Sequence, residues 1–172
     1  IGAIARIMQN FDILNLILIN PKCDHLDIIA TARATKHAKK ILEKAKIVKK
    51  FSYIKKFDYI IGTTAIQGSD YNIPRVAISP EKLISKIKNI KNDIVIVFGR
   101  ESNGLTNEEI MKCDIITSIP SSPKYPTMNI SHSVGIILYE LFKIKHKNEI
   151  ELASKKDKEV ILAAVTSTNN AL

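Results

Sequence analysis

The stretch Ile94-Val95-Ile96-Val97-Phe98-Gly99-Arg100-Glu101-Ser102-Asn103-Gly104-Leu105 passes in one step from five apolar residues to glycine, charged and polar ones. The apolar run opens with four β-branched residues, and its lack of alternation reads as a strand covered on both faces, as at the centre of a parallel sheet. The glycine that follows lets backbone approach a ligand closely. In open parallel α/β sheets, ligands bind beyond the carboxyl ends of the strands, where this glycine falls.

The flanking sequence repeats the alternation of short apolar runs and amphipathic helices, which predicts an α/β domain with a largely parallel sheet flanked by helices. Upstream, a strand is expected at Tyr59 to Ile61, closed by Gly62-Thr63-Thr64, and then a helix that starts at Pro80 and continues through Leu83, Ile84 and Ile87. Downstream, Thr106-Asn107-Glu108-Glu109 matches a capping box and places a short helix over residues 107 to 113. A strand fits Ile115 to Ile119, and after the loop Ser121 to Pro126 a long helix carries Ile130, Val134, Ile137, Leu138, Leu141 and Ile144 on one stripe. Nearer the start, Ile4, Ile7, Met8 and Phe11 mark a helix, and Leu14 to Ile19 a strand ended by Asn20-Pro21. Ala38, Ile41, Leu42 and Ala45 mark a second helix between Asp27 and Lys46. Residues 1–148 are expected to form one domain, and 149–172 a helical tail with the weak stripe Val160, Ile161, Ala164 and Val165.

A chain of 172 residues with 45% hydrophobic residues is long and apolar enough for one packed core, which excludes disordered and collagen-like classes. Its apolar runs fall far short of the ~20 residues needed to span a bilayer, so no membrane is expected. Cys23 and Cys113 make no disulfide framework and no signal pattern opens the chain, which together predict a cytoplasmic location. The formal net charge of +9 calls for an anionic partner. Nine lysines fall between Lys36 and Lys56 against Glu43 alone. Two readings stand: a footprint for a phosphate backbone, with strongly salt-dependent binding, or a solvated helix face. Aromatic interleaving is limited to Phe51, Tyr53 and Phe57. Cys23-Asp24-His25 has no second ligand pair at zinc spacing, so no metal is expected. His37 and His146 read as surface residues and His132 as a packing or interface residue. Neither a P-loop nor a Gly-x-Gly-x-x-Gly sequence occurs, which argues against ATP and nicotinamide dinucleotides.

Four segments place small, polar or charged residues at strand ends or helix starts: Ile1-Gly2-Ala3-Ile4-Ala5-Arg6, Gly62-Thr63-Thr64-Ala65, Phe98 to Leu105, and Tyr125-Pro126-Thr127-Met128-Asn129-Ile130-Ser131-His132-Ser133. Taken singly each is a weak signal. In this order and at these separations they resemble the SPOUT class of RNA methyltransferases, in its TrmH/TrmJ (SpoU) branch of ribose 2′-O-methyltransferases, over about residues 1 to 145. The family's first motif normally begins Asn-Ile-Gly, and here the Asn and the strand before it are not present. The resemblance therefore implies a sequence that starts inside a longer protein.

It also implies a C-terminal trefoil knot, one of the rare exceptions to unthreaded topology. S-adenosylmethionine would be held by Thr63, Thr64 and Ala65, by Gly99, and by Ile119, Pro126, Thr127 and Met128. The long helix would pack against a second subunit, giving a homodimer. The reaction implied is methyl transfer to a ribose 2′-hydroxyl of RNA, tRNA in its anticodon loop before rRNA. Arg6, Glu101, Asn129 and Ser131 would be the catalytic group. An arginine pKa above ~12 rules out Arg6 as the proton acceptor, so its expected task is to position phosphate and ribose and stabilise developing alkoxide. Glu101 would orient Arg6 or brace its loop, or alternatively cap nearby amides. A non-catalytic RNA-binding relative that keeps the fold is the alternative function.

Overall fold

The computed structural model describes residues 1–65 and 77–145. The expected tail helix over 149–172, the side chain of Ile144, and His146 lie outside the described residues. The helices are α1 (Gly2–Asn10), α2 (Ile28–Glu43), α3 (Pro80–Ile87), α4 (Asn107–Ile110) and α5 (Ile130–Lys145). The strands are β1 (Ile17–Ile19), β2 (Lys46–Val48), β3 (Tyr59–Thr63), β4 (Ile94–Val97) and β5 (Ile115–Thr117), with a 3-10 helix over Phe51–Lys56 before β3.

The named strand pairs are all parallel: β1 with β2, and β3 between β4 and β5. The expected parallel α/β architecture holds, with one correction. The apolar run Ile94 to Val97 flanks β3 instead of occupying the centre of its sheet. Its lack of alternation reports that both faces are covered, not that both edges are paired. Val95 and Val97 face a cluster with Ile54, Ile60, Leu105, Ile110 and Ile116, while Ile94 and Ile96 pack with Ile61, Leu83 and Ile87 on the other side. Ile60 and Ile61 thus point to opposite layers, as the period of two demands. Burying side chains such as Ile61 and Leu83, both at 0% exposure, contributes about 1.5–3 kcal/mol each.

The third core cluster joins α1, α2 and α5 through Ala5, Met8, Ala34, Leu42, Val134 and Leu138. Small residues let α1 and α2 lie very close: a Cβ at Gly2 would overlap the Ala30 carbonyl oxygen. Helix starts follow their side chains. Asp27 Oδ1 accepts from the Ala30 amide, Ser79 Oγ from Lys82 with Pro80 next in line, and Thr106 and Glu109 form the expected capping box. Inside α2, Thr35 has φ 64° and breaks the helix.

Two expectations change. The first strand is shorter than Leu14 to Ile19, with Leu14 exposed. The strand β2 and the 3-10 helix are new, hidden by a lysine-rich stretch with little apolar periodicity. On the α5 stripe Val134, Ile137 and Leu138 are buried within the chain, while Tyr139 on the same helix is exposed.

Candidate active site

Three loops leave the carboxyl ends of β3, β4 and β5 and meet. Thr63 Oγ1 donates to the Val97 carbonyl at 3.0 Å, and the Thr64 amide donates to the Thr117 carbonyl at 3.0 Å, so the end of β3 is tied to both neighbours. Beyond β4, the chain folds back on itself. The Arg100 amide donates to the Gly104 carbonyl at 3.1 Å and the Gly104 amide to the Arg100 carbonyl at 2.8 Å. Gly99 is the pivot, because a Cβ there would run into the Gly104 and Leu105 backbone. The Ser121 hydroxyl donates to the Pro126 carbonyl at 3.1 Å and closes the third loop.

The cleft they enclose holds about 190 Å³ and is lined by Thr63, Thr64, Ala65, Gly99, Ile119, Pro126, Thr127 and Met128, the eight residues expected to hold a cofactor. Leu105, Ile130 and Ser133, which belong to the quoted motif segments, line it as well, as does Ile137 of the α5 stripe, although none of the four was expected as a cofactor contact. Leu105 and Ile137 supply apolar wall, while exposed loop backbone and the Thr and Ser hydroxyls supply polar contacts.

Of the four expected catalytic residues, Glu101 lines the cleft. Asn129, just ahead of α5, donates from Nδ2 to Glu101 Oε1 at 3.4 Å. Its Oδ1 accepts from the Ser131 amide at 2.9 Å and from the Ser131 hydroxyl at 2.7 Å. The two Ser131 donors fix the amide orientation, since only oxygen can accept them. Glu101, Asn129 and Ser131 therefore form one polar chain. Arg6 stands apart: it is exposed on α1 and makes no ion pair or side-chain hydrogen bond among the described residues. Its neighbour Ile7 packs 3.8 Å from a Cβ placed on Gly135 of α5.

Arg100 does not pair with Glu101. Its guanidinium grips the nearly buried Glu109 with two bonds of 2.8 and 2.9 Å. Glu109 also accepts the Thr106 amide at 2.9 Å. The Arg100 hydrogen bonds are the main reason that the Glu109 carboxyl sits below its ordinary pKa. This clamp fixes the Gly99–Leu105 turn to α4; the capping box was legible, but the reach back to Arg100 was not. Near it, burial pushes the Cys113 thiol up to about 11, with Asp114 and Glu109 adding to the effect. Asp24 and His25 lie 3.7 Å apart, and no metal-binding group of three His, Cys, Asp or Glu residues occurs among the described residues.

Parallel strands flanked by helices, with a loop-built cleft at the strand ends and a polar chain at its rim, define an α/β ligand-binding domain. The chain belongs to the SpoU rRNA Methylase family, which matches residues 1–139. It is 44% identical over 168 residues to the tRNA (cytidine-2′-O-)-methyltransferase TrmJ of Methanocaldococcus jannaschii, covering 94% of this chain and 72% of that protein. TrmJ of Sulfolobus acidocaldarius is 37% identical over 94% of this chain and 67% of its own length. Among solved structures, a probable methylase family protein from Haemophilus influenzae superposes with a TM-score of 0.74 at 32% identity, covering 84% of this chain and 58% of that one. TrmJ from Z. mobilis has the same fold, with a TM-score of 0.74 at 21% identity.

Proposed function

We propose that this chain methylates a ribose 2′-hydroxyl of tRNA with S-adenosylmethionine as donor. The observation that carries the reading is the meeting of three strand-end loops in one cleft whose rim holds the Glu101-Asn129-Ser131 chain. The tRNA substrate is supported by the TrmJ relatives, both named for 2′-O-methylation of cytidine in tRNA. The cleft suits this cofactor, because the apolar side chains of Ile119, Met128 and Ile137 face backbone-rich loops that can bond a purine edge and a polar tail. Thr63 to Ala65, Gly99, Ile119 and Pro126 to Met128 would hold it. Bound there, S-adenosylmethionine supplies an electrophilic methyl group on a sulfonium.

The residues of the chain then have distinct tasks. Ser131 spends its hydroxyl proton on Asn129 Oδ1, which leaves its oxygen lone pairs to accept a hydrogen bond from the 2′-hydroxyl and aim its nucleophilic oxygen. Glu101 holds the Asn129 amide in the orientation that keeps Ser131 so turned. Exposed Arg6 binds phosphate and stabilises the developing alkoxide, while the proton leaves through phosphate, the Asn129-Ser131 pair or water.

The same proposal takes in the trefoil knot, the division into a domain over 1–148 and a tail over 149–172, a cytoplasmic site of action, and a homodimer. Ile28 and Ile29, 86% and 65% exposed at the start of α2, support the dimer as unpartnered apolar surface. Among the described residues no helix is long and apolar enough to cross a membrane.

The test is incubation of the protein with isotopically labelled S-adenosylmethionine and tRNA or rRNA transcripts, followed by nucleoside mass spectrometry. A 2′-O-methylnucleoside in tRNA is the expected product. Cofactor binding with no transfer to any RNA would overturn the reading in favour of a non-catalytic RNA-binding protein.

A further inference from the structure

The structure splits the lysine-rich window into two parts. On α2, Lys39 pairs with Glu43 at 3.6 Å, while Lys36 and Lys40 make no ion pair among the described residues. From Lys46 onward no lysine of the window makes an ion pair among the described residues, and all are exposed. Here the chain forms β2 and the 3-10 helix, which Ile54, 1% exposed, and half-buried Phe51 anchor to the core cluster that also holds Leu105. The lysines therefore stand on a rigid support. Lys46 from the strand and Lys56 from the helix end both converge on Tyr53, their ammonium groups 5.2 and 4.4 Å from the ring centroid. Lys112, 5.9 Å from the Phe51 ring, continues the patch onto the end of α4. Bringing like charges together is unfavourable, and the negative faces of the aromatic rings offset only part of it. Lys46 and Lys56 beside the Tyr53 hydroxyl, by hydrogen bonding and charge, hold the phenol below its ordinary pKa. Among the described residues no carboxylate makes an ion pair with these lysines.

We propose that Lys46, Lys49, Lys50, Lys55 and Lys56 around Tyr53 form a docking surface for the phosphate backbone of the RNA substrate. This rests on the tRNA reading above and adds to it a second contact region, away from the cleft. The 3-10 helix leads into the start of β3, and the other end of that strand, Thr63, lines the cleft. A strand of this length spans roughly 15 Å, well within the reach of a folded RNA whose target ribose sits in the cleft. An anionic membrane fits less well: Phe51, Tyr53 and Phe57 are half-buried and Ile54 is buried, so Ile47 alone among these apolar side chains is free to enter an acyl layer.

The test compares three full chains for tRNA affinity across a series of KCl concentrations: wild type, the quadruple variant Lys49→Gln, Lys50→Gln, Lys55→Gln, Lys56→Gln, and a control with the same charge loss on α3 and beyond, Lys82→Gln, Lys86→Gln, Lys88→Gln, Lys91→Gln. Each lysine that contacts a phosphate adds about 0.7–0.9 to the slope of log affinity against log salt. The first variant should bind tRNA at least about tenfold more weakly, with a slope shallower by about 2–4, and should keep wild-type affinity for S-adenosylmethionine. The control should keep most of the wild-type slope. A first variant with the wild-type slope, or a control that loses as much, would overturn the surface. So would lysine-dependent binding to phosphatidylserine vesicles tighter than to tRNA. A wild type that binds tRNA through these lysines yet transfers no methyl would defeat the enzymatic reading and leave the surface standing.

Discussion

Ser131 and Arg6, proposed to aim the 2′-hydroxyl and to bind phosphate, differ in how far the fold already engages them. The Ser131 hydroxyl is committed to Asn129 Oδ1 at 2.7 Å, while the Arg6 guanidinium has no partner among the described residues and is available to a phosphate. Arg6→Ala is expected to lower kcat by at least about 100-fold, the scale of losing a transition-state donor, while the dissociation constant for S-adenosylmethionine stays within about twofold. Isothermal titration beside single-turnover kinetics reads both quantities; full turnover by the variant would remove Arg6 from the site. The two cysteines differ as sharply. Cys23 is exposed, whereas Cys113 is partly buried, donates to the Glu109 carbonyl at 3.3 Å and has its thiol pushed up to about 11. Since the thiolate is the reactive form, iodoacetamide at pH 7.5 should label Cys23 and spare Cys113 in the folded chain, with denaturation exposing both to mass-spectrometric detection.

The Gly99–Leu105 turn and α4 form one mechanical unit, held by the Arg100–Glu109 clamp and the capping box. Gly99→Ala should displace the turn and weaken cofactor binding at least about tenfold with helical content unchanged by circular dichroism, because the new methyl meets backbone that has no rotamer to yield. Glu109→Gln loses a charged acceptor in a nearly buried position and should cost about 1–3 kcal/mol. The pH dependence has a definite sign. Arg100 lowers the folded pKa of Glu109, so the stabilisation is complete above the unfolded value near ~4.3 and fades as pH falls through the lowered folded value. Thermal melts across the acid range should therefore fall less steeply for Glu109→Gln than for wild type. Elements built from local rules were readable in advance: the capping box at Thr106, Pro80 at the start of α3, and the stripe of α5. The strand β2 was not, because Lys46-Ile47-Val48 gains its pairing from β1, more than twenty residues upstream.

For the molecule as a whole, Val134 and Leu138 of α5 are buried against α1 and α2, while exposed apolar surface is left at Tyr139 on α5 and at Ile28 and Ile29. Light scattering is expected to give twice the 19.2 kDa chain mass; a monomer at micromolar concentration would overturn the dimer. The strength of a sequence reading depends on how far apart the interacting residues lie. Periodicity and caps act within one or two turns, so composition and order alone determined the α/β class, most element positions, and the three loops that supply the cleft. Pairings across the chain depend on which surfaces meet once the layers close. Tertiary structure alone decided that β3, not the apolar run at Ile94, is the middle strand, that Arg100 reaches Glu109, that Arg6 makes no hydrogen bond or ion pair to Glu101, and that the basic window divides between the α2 face, where Lys39 pairs with Glu43, and the cluster around Tyr53.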